Sequence, residues 1–311
     1  MKLISIIIPT YNRLWSLPEA IDSCRSSNGM TEIIVVDDGS SDGTWEWLQT
    51  QPDVIKIKQP NQGKCWAANK GVEIATGKYI KFLDSDDKID IVATEEQLQI
   101  AEEQQADLVV SGYKVFADKQ ILRAQKWIYC DDFIAQQLGE CDSSHYSSYL
   151  FRKDFIADIP HRPDFAYRDD RLFVIEAALK NPVVAVHDGY ALLHRKHENE
   201  RLQFPDGLKQ SVQNFQHLEI YKRAFRILKA ENKLTKRRIV AGCNILWPLA
   251  HWIAKTHLKE ATEVYNWIKE LNPDFVIPEK GAIGLLYSKL GFGTTEKILT
   301  IRRKLKFGLW N

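Results

Sequence analysis

Two clusters of acidic residues, each placed directly after a short apolar run, constrain the fold of this chain more than any other feature. One run, 33–36, ends at Asp37 and Asp38, and a second run, 79–83, ends at Asp84. Such β-branched runs predict buried strands of a parallel sheet, with the acids at the carboxyl ends of the strands. Open α/β sheets bind their ligands at that edge.

A third apolar run, 3–8, ends in the sequence P-T-Y-N at 9–12. We therefore expect three strand ends to converge on one crevice, and we predict that this crevice binds a nucleotide and a metal ion. Segment 61–71 lies between the two acid clusters and contains Gly63. It is suited to carry a helix whose first turn faces the crevice.

Five short motifs in this region resemble those of the family-two inverting glycosyltransferases of the A-type fold, of the bacterial surface-glycan type. They are P-T-Y-N at 9–12, V-D-D-G-S at 36–40, N-Q-G at 61–63, A-A-N-K-G at 67–71 and F-L-D-S-D-D at 82–87. The resemblance implies an α/β fold with a Rossmann-like, mostly parallel sheet, here followed by a helical C-terminal extension. One departure is Ala68, where the family usually has Arg, so a basic contact near the donor is either missing or supplied by Lys64.

Composition and charge narrow the class of protein. With 311 residues, 44% of them hydrophobic, the chain can bury a large core. Its net charge of +1 gives no electrostatic reason to expect nucleic-acid binding. The five cysteines include no C-x-x-C pair, which favours reduced thiols over a disulfide framework. The chain enters a strand pattern at once, without the pattern of a signal peptide, so we expect a cytoplasmic protein.

The hydrophobic pattern divides the chain into two regions. Residues 1–204 alternate strand and helix patterns, which predicts right-handed β-α-β units. This region is the expected nucleotide-sugar-binding and catalytic domain, with the acceptor side at about 118–204. Residues 205–311 carry helical patterns and form the predicted C-terminal region, with the boundary near Pro205 and an expected membrane or partner contact. Its most apolar stretch, 239–253, contains polar residues and is expected to be a buried helix, not a membrane span.

The sequence D-S-D at 84–86 is the predicted metal site. Carboxylates at alternate positions can lean to one side and share a divalent cation, Mn²⁺ or Mg²⁺, that bridges phosphate oxygens. An isolated D-x-D is more often a solvated turn, but the preceding strand and the resemblance favour Asp86 as a direct metal ligand, with Asp84 nearer the ribose or a metal-bound water. A calcium loop is disfavoured because Ile89 occupies the position that requires Gly.

All three strand ends are predicted to contribute to binding of the nucleotide-diphosphate sugar. Asp38 suits a hydrogen bond to a pyrimidine N–H, which is where the family places this acid, whereas Asp37 is suited to cap the following turn. Thr10 and Tyr11 are candidates to line the base, with packing in the core as the alternative role for Tyr11. The full predicted donor set is Pro9, Thr10, Tyr11, Asn12, Asp38, Gly63, Lys64, Asn69, Asp84 and Arg195.

The acid pair Asp169 and Asp170 opens a predicted helix. In the family that the chain resembles, the second acid of such a pair is the catalytic base. The resemblance therefore implies Asp170 as the base and Asp169 as an acceptor-binding or supporting residue. Repulsion between two carboxylates can raise the pKa of one of them, which helps it to accept a proton near neutral pH. Capping of the helix is the alternative role for the pair.

Two basic segments complete the set of predicted functional residues. In H-R-K-H at 194–197, the resemblance implies that Arg195 contacts the diphosphate and that His197 is a third metal ligand, although histidines at this spacing also occur by chance. The tail at 297–306 has a basic amphipathic pattern. This pattern is typical both of helices on anionic membrane surfaces and of a basic face packed on a domain.

Together these features predict an inverting, metal-dependent glycosyltransferase, either a hexosyl- or an N-acetylhexosaminyl-transferase. The expected donor is a UDP-sugar, and the expected acceptor is a hydroxyl of a growing surface glycan such as lipopolysaccharide, capsule or teichoic acid, or a lipid-linked glycan at the inner membrane face. One alternative is a nucleotidyltransferase that makes the sugar nucleotide. Such an enzyme needs a Gly-rich loop after the first strand to hold the triphosphate, whereas segment 9–12 contains no Gly. The other alternative is a nucleotide- or glycan-binding subunit without turnover.

Overall fold

The chain forms two compact units in the computed structural model. The described residues are 3–118, 120–197 and 207–308. The first unit comprises Met1–Phe133 and Asp142–Glu200, and the second comprises Ile134–Cys141 and Arg201–Asn311. The predicted boundary near Pro205 lies outside the described residues.

The first unit contains a nine-stranded sheet. The strands are β1 Ile4–Thr10, β2 Thr31–Asp37, β3 Val54–Lys58, β4 Tyr79–Phe82, β5 Lys88–Ile89, β6 Leu108–Ala117, β7 Gln120–Gln125, β8 Leu150–Arg152 and β9 Val184–Arg195. The helices of this unit are α1 Leu17–Cys24, α2 Thr44–Gln49, α3 Lys64–Ile74, α4 Ile91–Glu103, α6 Lys153–Ile156 and α7 Asp169–Leu179. The α5 helix, Phe133–Leu138, lies between them in the chain.

The strand order is β3-β2-β1-β4-β8-β6-β9-β5, and β7 pairs with β6. β1 is parallel to β2 and to β4, and β2 is parallel to β3, so the carboxyl ends of these four strands share one edge. Thr10 is level with Asp37 across this edge. The predicted α/β architecture, with acids at the ends of parallel strands, is confirmed.

Three strands of the sheet, β5, β7 and β8, have no counterpart in the sequence prediction. β8 is only three residues long and pairs antiparallel with both β4 and β6, so it joins the two halves of the sheet. β7 is exposed along most of its length, so its sequence shows no alternation of buried and exposed positions. Short or exposed strands of this kind do not produce the periodic pattern on which sequence prediction depends.

Close packing of α3 on β1 sets the position of the helix that begins at the crevice. Gly71 of α3 has no side chain, and a Cβ built there would lie 2.3 Å from Cγ2 of Ile7. The helix begins after Gly63, whose φ of 99° lies in the left-handed region that favours glycine. Gly71 therefore permits the close contact between α3 and β1. Gly63 permits the sharp turn with which the chain enters the first turn of α3.

A lysine lies fully buried in the middle of β4. The Nζ atom of Lys81 donates hydrogen bonds to Oε1 of Gln97 (2.9 Å) and to the carbonyl of Tyr149 (3.4 Å). The amide of Gln97 in turn donates to Oγ of Ser111 and to the carbonyl of Ser148. This network satisfies the amine by hydrogen bonds to neutral groups, and burial lowers the pKa of Lys81 to about 7.

Replacing Lys81 with Met is expected to stabilise the protein at neutral pH and to remove a pH dependence. Between pH 7 and 10.5 the unfolded chain keeps a proton that folded Lys81 has lost. The free energy of unfolding of the wild type therefore rises with pH over this interval, by up to about 1.4 kcal/mol per pH unit, and the advantage of Lys81→Met shrinks. Urea unfolding at pH 7, 8 and 9 measures this. If the free energies of unfolding of the wild type and Lys81→Met change with pH in parallel, the prediction is contradicted. Lys78→Met, at a half-exposed lysine, is the control.

The second unit is helical. Its longer helices are α8 Gly207–Ala230, α9 Lys236–Ala254, α10 Leu258–Leu271 and α11 Gly281–Gly308, the last kinked at Gly291. The segment Ile134–Cys141 packs among them: Oη of Tyr221 donates to the carbonyl of Leu138 (3.2 Å). In the described part of the chain, no helix combines the length and the apolar character needed to cross a membrane. The predicted helical C-terminal extension is confirmed.

Candidate active site

Hydrogen bonds join the loops that follow β1 and β2. The backbone N–H of Asn12 donates to Oγ of Ser40 (2.9 Å), and Oδ1 of Asn12 accepts from the N–H of Ser41 (2.9 Å). Asn12 itself has a left-handed backbone, with φ of 51°. Asn12 was predicted to bind the donor, and in this structure its amide oxygen holds the two loops together.

The acid pair at the end of β2 accepts hydrogen bonds from backbone N–H groups of the loops around the crevice. Oδ1 of Asp37 accepts from the N–H of Ser40 (3.1 Å), which confirms the predicted capping role. Asp38 is buried, and its two oxygens accept from the N–H groups of Gln62 (2.9 Å) and Gly63 (2.7 Å). Asp38 was predicted to bind a pyrimidine N–H, and here it fixes the loop that leads into α3.

The remaining predicted base-binding residues stand at the end of β1. Pro9 and Thr10 are buried in the strand, whereas the Tyr11 side chain is 46% exposed. This exposure excludes the alternative role of Tyr11 as a packed core residue. Within the described residues, Oγ1 of Thr10 is buried without a hydrogen-bond partner. The strand end therefore offers an exposed aromatic ring beside a buried hydroxyl group.

Asp84 forms an ion pair with Lys64 across the crevice. The Nζ atom of Lys64, in the first turn of α3, lies 2.5 Å from Oδ1 of Asp84. Burial alone would raise the pKa of Asp84, but the Lys64 ammonium, together with His145 and His194, lowers it to about 2. Burial lowers the pKa of Lys64, whereas Asp84 and Asp170 raise it by more, so both acids act on the same cation. Lys64 therefore lies beside acids of the crevice, and its contact with the donor in place of the family's Arg stays a prediction.

Asp86 and His197 are brought together from two distant parts of the chain. Oδ2 of Asp86 lies 3.0 Å from Nε2 of His197 and 3.9 Å from Nε of Arg13. Arg195 donates from Nε to the backbone carbonyl of Asp86 (2.8 Å) and from Nη2 to Glu19 (2.9 Å). Arg195, predicted to contact a diphosphate, therefore supports the Asp86 loop in this structure.

The predicted metal ligands are only partly assembled. The carboxylate of Asp86 and the imidazole of His197 adjoin, and this oxygen and nitrogen pair suits Mn²⁺ or Mg²⁺ bound with phosphate oxygens. Asp84, predicted as a further ligand, is instead occupied by Lys64. Of the three predicted ligands, Asp86 and His197 are therefore the two that fit a divalent cation.

The two acids at the start of α7 have different surroundings. Asp169 is buried, with Oδ2 at 2.5 Å from Nδ1 of His161 and Oδ1 accepting from the N–H of Arg162 (2.8 Å). Burial raises the pKa of Asp169, but His161, the N–H of Arg162 and the Lys64 ammonium together lower it by more. Asp170 is half-buried, with Oδ1 accepting from the N–H of Arg171 (2.8 Å). Asp169 is thus enclosed as a supporting group, and Asp170 remains accessible.

Residues that the sequence reasoning missed hold this pair in place. Both ends of the Asn69 amide bond to the backbone of His161, each at 2.8 Å, although Asn69 was predicted to bind the donor. Nε2 of His161 lies 2.8 Å from Oη of Tyr146. His161 and Tyr146 fall in the weakly patterned segment at 118–167, where the sequence predicted acceptor-side loops but no individual functional residue. α3 and the start of α7 are therefore joined through His161.

A further pair of histidines adjoins the third acid after β4. Oδ2 of Asp87 lies 2.9 Å from Nδ1 of His194, and Oδ1 accepts from the N–H of Arg195 (2.7 Å). The rings of His194 and His145 are 4.8 Å apart between centroids. Burial raises the pKa of Asp87, although His194 acts in the opposite direction. Sequence reasoning assigned no role to Asp87, His145 or His194.

Comparison with known proteins gives matches to one family. The family model of glycosyl transferase family 2 matches residues 5–159. TuaG of Bacillus subtilis, provisionally named as a teichuronic acid biosynthesis glycosyltransferase, is 35% identical over 150 residues, which are 45% of this chain and 60% of TuaG. Another relative from the same organism is 28% identical, with 64% of its length covered. This chain therefore spans less than two thirds of both relatives.

Solved structures match nearly the whole chain. Staphylococcus aureus TarS 1-349, solved in complex with UDP-GlcNAc, has a TM-score of 0.56 at 17% identity, covering 99% of this chain and 92% of TarS 1-349. A mannosyltransferase from Pyrobaculum calidifontis, solved with GDP-Man and Mn²⁺, has a TM-score of 0.51 at 15% identity, covering 97% and 87%. At these identities the likeness establishes the fold, and the predicted fold is confirmed.

Proposed function

Residues 5–159 belong to glycosyl transferase family 2, and from this premise we propose that the chain is an inverting, metal-dependent glycosyltransferase that uses a UDP-sugar. One observation carries the proposal: the Lys64–Asp84 ion pair lies near the accessible Asp170, and Asp84 and the Asp86–His197 pair are in the loop after the carboxyl end of β4. Cations and carboxylates are thereby concentrated where a nucleotide diphosphate and a hydroxyl would meet. The solved complexes of TarS and the mannosyltransferase support a nucleotide-sugar donor.

In the proposed reaction Asp170 accepts the proton of the acceptor hydroxyl, whose oxygen attacks the anomeric carbon of the donor. The new C–O bond forms on the face opposite to the diphosphate as the bond to the diphosphate breaks, so the anomeric configuration inverts. Asp169 does not take part in proton transfer, because His161 and Arg162 occupy its oxygens. It fixes the first turn of α7 and with it the direction of Asp170.

Asp86 and His197 would hold the divalent cation, Mn²⁺ or Mg²⁺. A cation bound there supplies Lewis-acid stabilisation of the charge on the leaving diphosphate. The Mn²⁺ in the mannosyltransferase complex supports this assignment. Arg195 keeps Asp86 in position through the Asp86 carbonyl, and contact between Arg195 and the diphosphate would require it to exchange its Glu19 partner.

The proposed acceptor is a hydroxyl of a bacterial surface glycan. The name of TuaG, which refers to teichuronic acid, supports this class of acceptor. On the same reasoning we expect the protein to act at the cytoplasmic face of the membrane, where lipid-linked glycans are extended.

Hydrolysis of UDP-GlcNAc in the presence of Mn²⁺, followed by proton NMR from the first minutes, tests the proposal. Water then replaces the acceptor, and an inverting enzyme releases the β-anomer from the α-linked donor before mutarotation. Release of the α-anomer would overturn the inverting mechanism. Binding of the UDP-sugars tested, without hydrolysis or transfer to any glycan offered, would favour the alternative of a subunit without turnover.

The C-terminal tail is the proposed membrane contact. Ile301 and Leu305 on the last part of α11 are 58% and 63% exposed, and Arg302 is exposed beside them. Leu299, by contrast, is buried, and Arg303 faces the buried Glu296. One face of this helix therefore packs on its own unit, while the other presents basic and apolar groups.

Reversing the exposed charges Lys297 and Arg302 to Glu is expected to weaken co-sedimentation with anionic vesicles. Each basic residue near such a surface contributes about 1 kcal/mol, and salt screens this attraction. Hydrolysis of UDP-GlcNAc should stay near the wild-type rate, because neither residue belongs to the crevice. The control is the same reversal at Lys255 and Lys259, also exposed. If the wild-type protein does not co-sediment with anionic vesicles at low salt, the prediction is contradicted.

A further inference from the structure

Asp87, His145 and His194 form a cluster that the proposed reaction does not use. One carboxylate oxygen and one ring nitrogen from each histidine all lie within 4.8 Å of one another. The three residues come from separate places in the chain: the loop after β4, the segment before β8, and the end of β9. Their convergence is therefore a product of the fold and not of local sequence.

The spacing of these atoms is close to that of a metal site. Ligands about 2.0–2.2 Å from a common ion lie roughly 3 to 3.5 Å from each other. The oxygen of Asp87 and the nitrogen of His194 are already 2.9 Å apart. The remaining separations are at most 4.8 Å.

The chemistry of the set favours a particular class of ion. Two imidazoles and one carboxylate suit late first-row divalent cations, of which Zn²⁺ is the commonest with such ligands, whereas Mg²⁺ and Ca²⁺ prefer oxygen alone. The carboxylate of Asp87 is almost completely buried and is held by the N–H of Arg195, an outer contact that orients it.

We propose that Asp87, His145 and His194 bind a late first-row divalent cation such as Zn²⁺, at a site distinct from the Asp86–His197 pair. The two sites have different donors, since the Asp86–His197 pair offers a single imidazole. The proposal does not depend on glycosyl transfer, because it concerns binding of the metal alone.

The test uses Co²⁺ as a spectroscopic probe for the full-length chain, freed of metal with EDTA and then dialysed. Imidazole-bound Co²⁺ of low coordination number absorbs in the visible, and we expect saturation at one equivalent per chain. His145→Asn should lower Co²⁺ affinity by at least about tenfold and abolish the band. Asn keeps a side-chain oxygen that can accept from the N–H of Ser147, which His145 caps in the wild type.

The matched control is His197→Asn, which removes the imidazole beside Asp86 and should leave the visible band unchanged. His194→Asn is the second variant of the cluster, and circular dichroism of all three variants establishes that each is folded. A band that survives in both His145→Asn and His194→Asn would overturn the proposal. So would a band that disappears only in His197→Asn, or wild-type protein that produces no band.

Discussion

Asp170→Asn is expected to lower turnover at least about a hundredfold while affinity for the donor stays near the wild-type value. Asparagine has nearly the same shape as aspartate but cannot accept the hydroxyl proton, and loss of a general base has an effect of this size. Asp170 is the accessible acid at the start of α7, whereas Asp169 is enclosed by His161 and Arg162. Turnover of a UDP-sugar with an active acceptor and calorimetric binding of UDP measure the two quantities.

Two further variants make this test specific. Asp154→Asn changes an exposed acid at the start of α6 and should leave turnover unchanged. Asp169→Asn should mainly lower the melting temperature, because it weakens a buried hydrogen bond to His161. If Asp170→Asn is nearly as active as the wild type and Asp169→Asn is folded but inactive, the two acids have the opposite roles.

Asp86→Ala is expected to abolish transfer and the Mn²⁺-dependent part of UDP affinity, with the fold retained. Asp86 is partly exposed, and it is the carboxylate that adjoins His197. Without it, the proposed cation would lose an oxygen ligand and with it the position from which it would balance the diphosphate charge. UDP binding with and without Mn²⁺, together with activity and circular dichroism, gives the comparison.

Asp188→Ala is the matched control for Asp86→Ala, because Asp188 is strongly exposed and lies on the β9 strand. It should leave both UDP binding and transfer unchanged. Full activity of the wild type in excess EDTA would refute the metal assignment and the mechanism that depends on it.

Sequence reasoning succeeded where a feature is local. The mostly apolar runs of β1, β2 and β4 end at polar or acidic residues, so their burial and their common edge follow from pattern alone. The helix opening at Asp169 is likewise found where it was predicted. The five motifs lie within the family match at 5–159, which confirms the resemblance that they indicated.

Sequence reasoning failed where a side chain is committed to a partner far along the chain. Asn69 and His161 are 92 residues apart, and Asp87 and His194 are 107 residues apart. No periodicity records such pairs, because each depends on how separate strands and loops come together. Asp38 shows the same limit at shorter range: its position at a strand end was predictable, but its bonds to the loop before α3 were not.

The membership of Ile134–Cys141 in the helical unit bears on how the chain folds during synthesis. Leu138 bonds to Tyr221, which is 83 residues later in the chain. At a synthesis rate of roughly 5–20 residues per second, roughly 4–17 s pass between the synthesis of Leu138 and that of Tyr221. When all strands of the sheet have been synthesised, the helices that pack on Ile134–Cys141 have not. The apolar residues of this segment therefore need protection from solvent and from other chains during that interval.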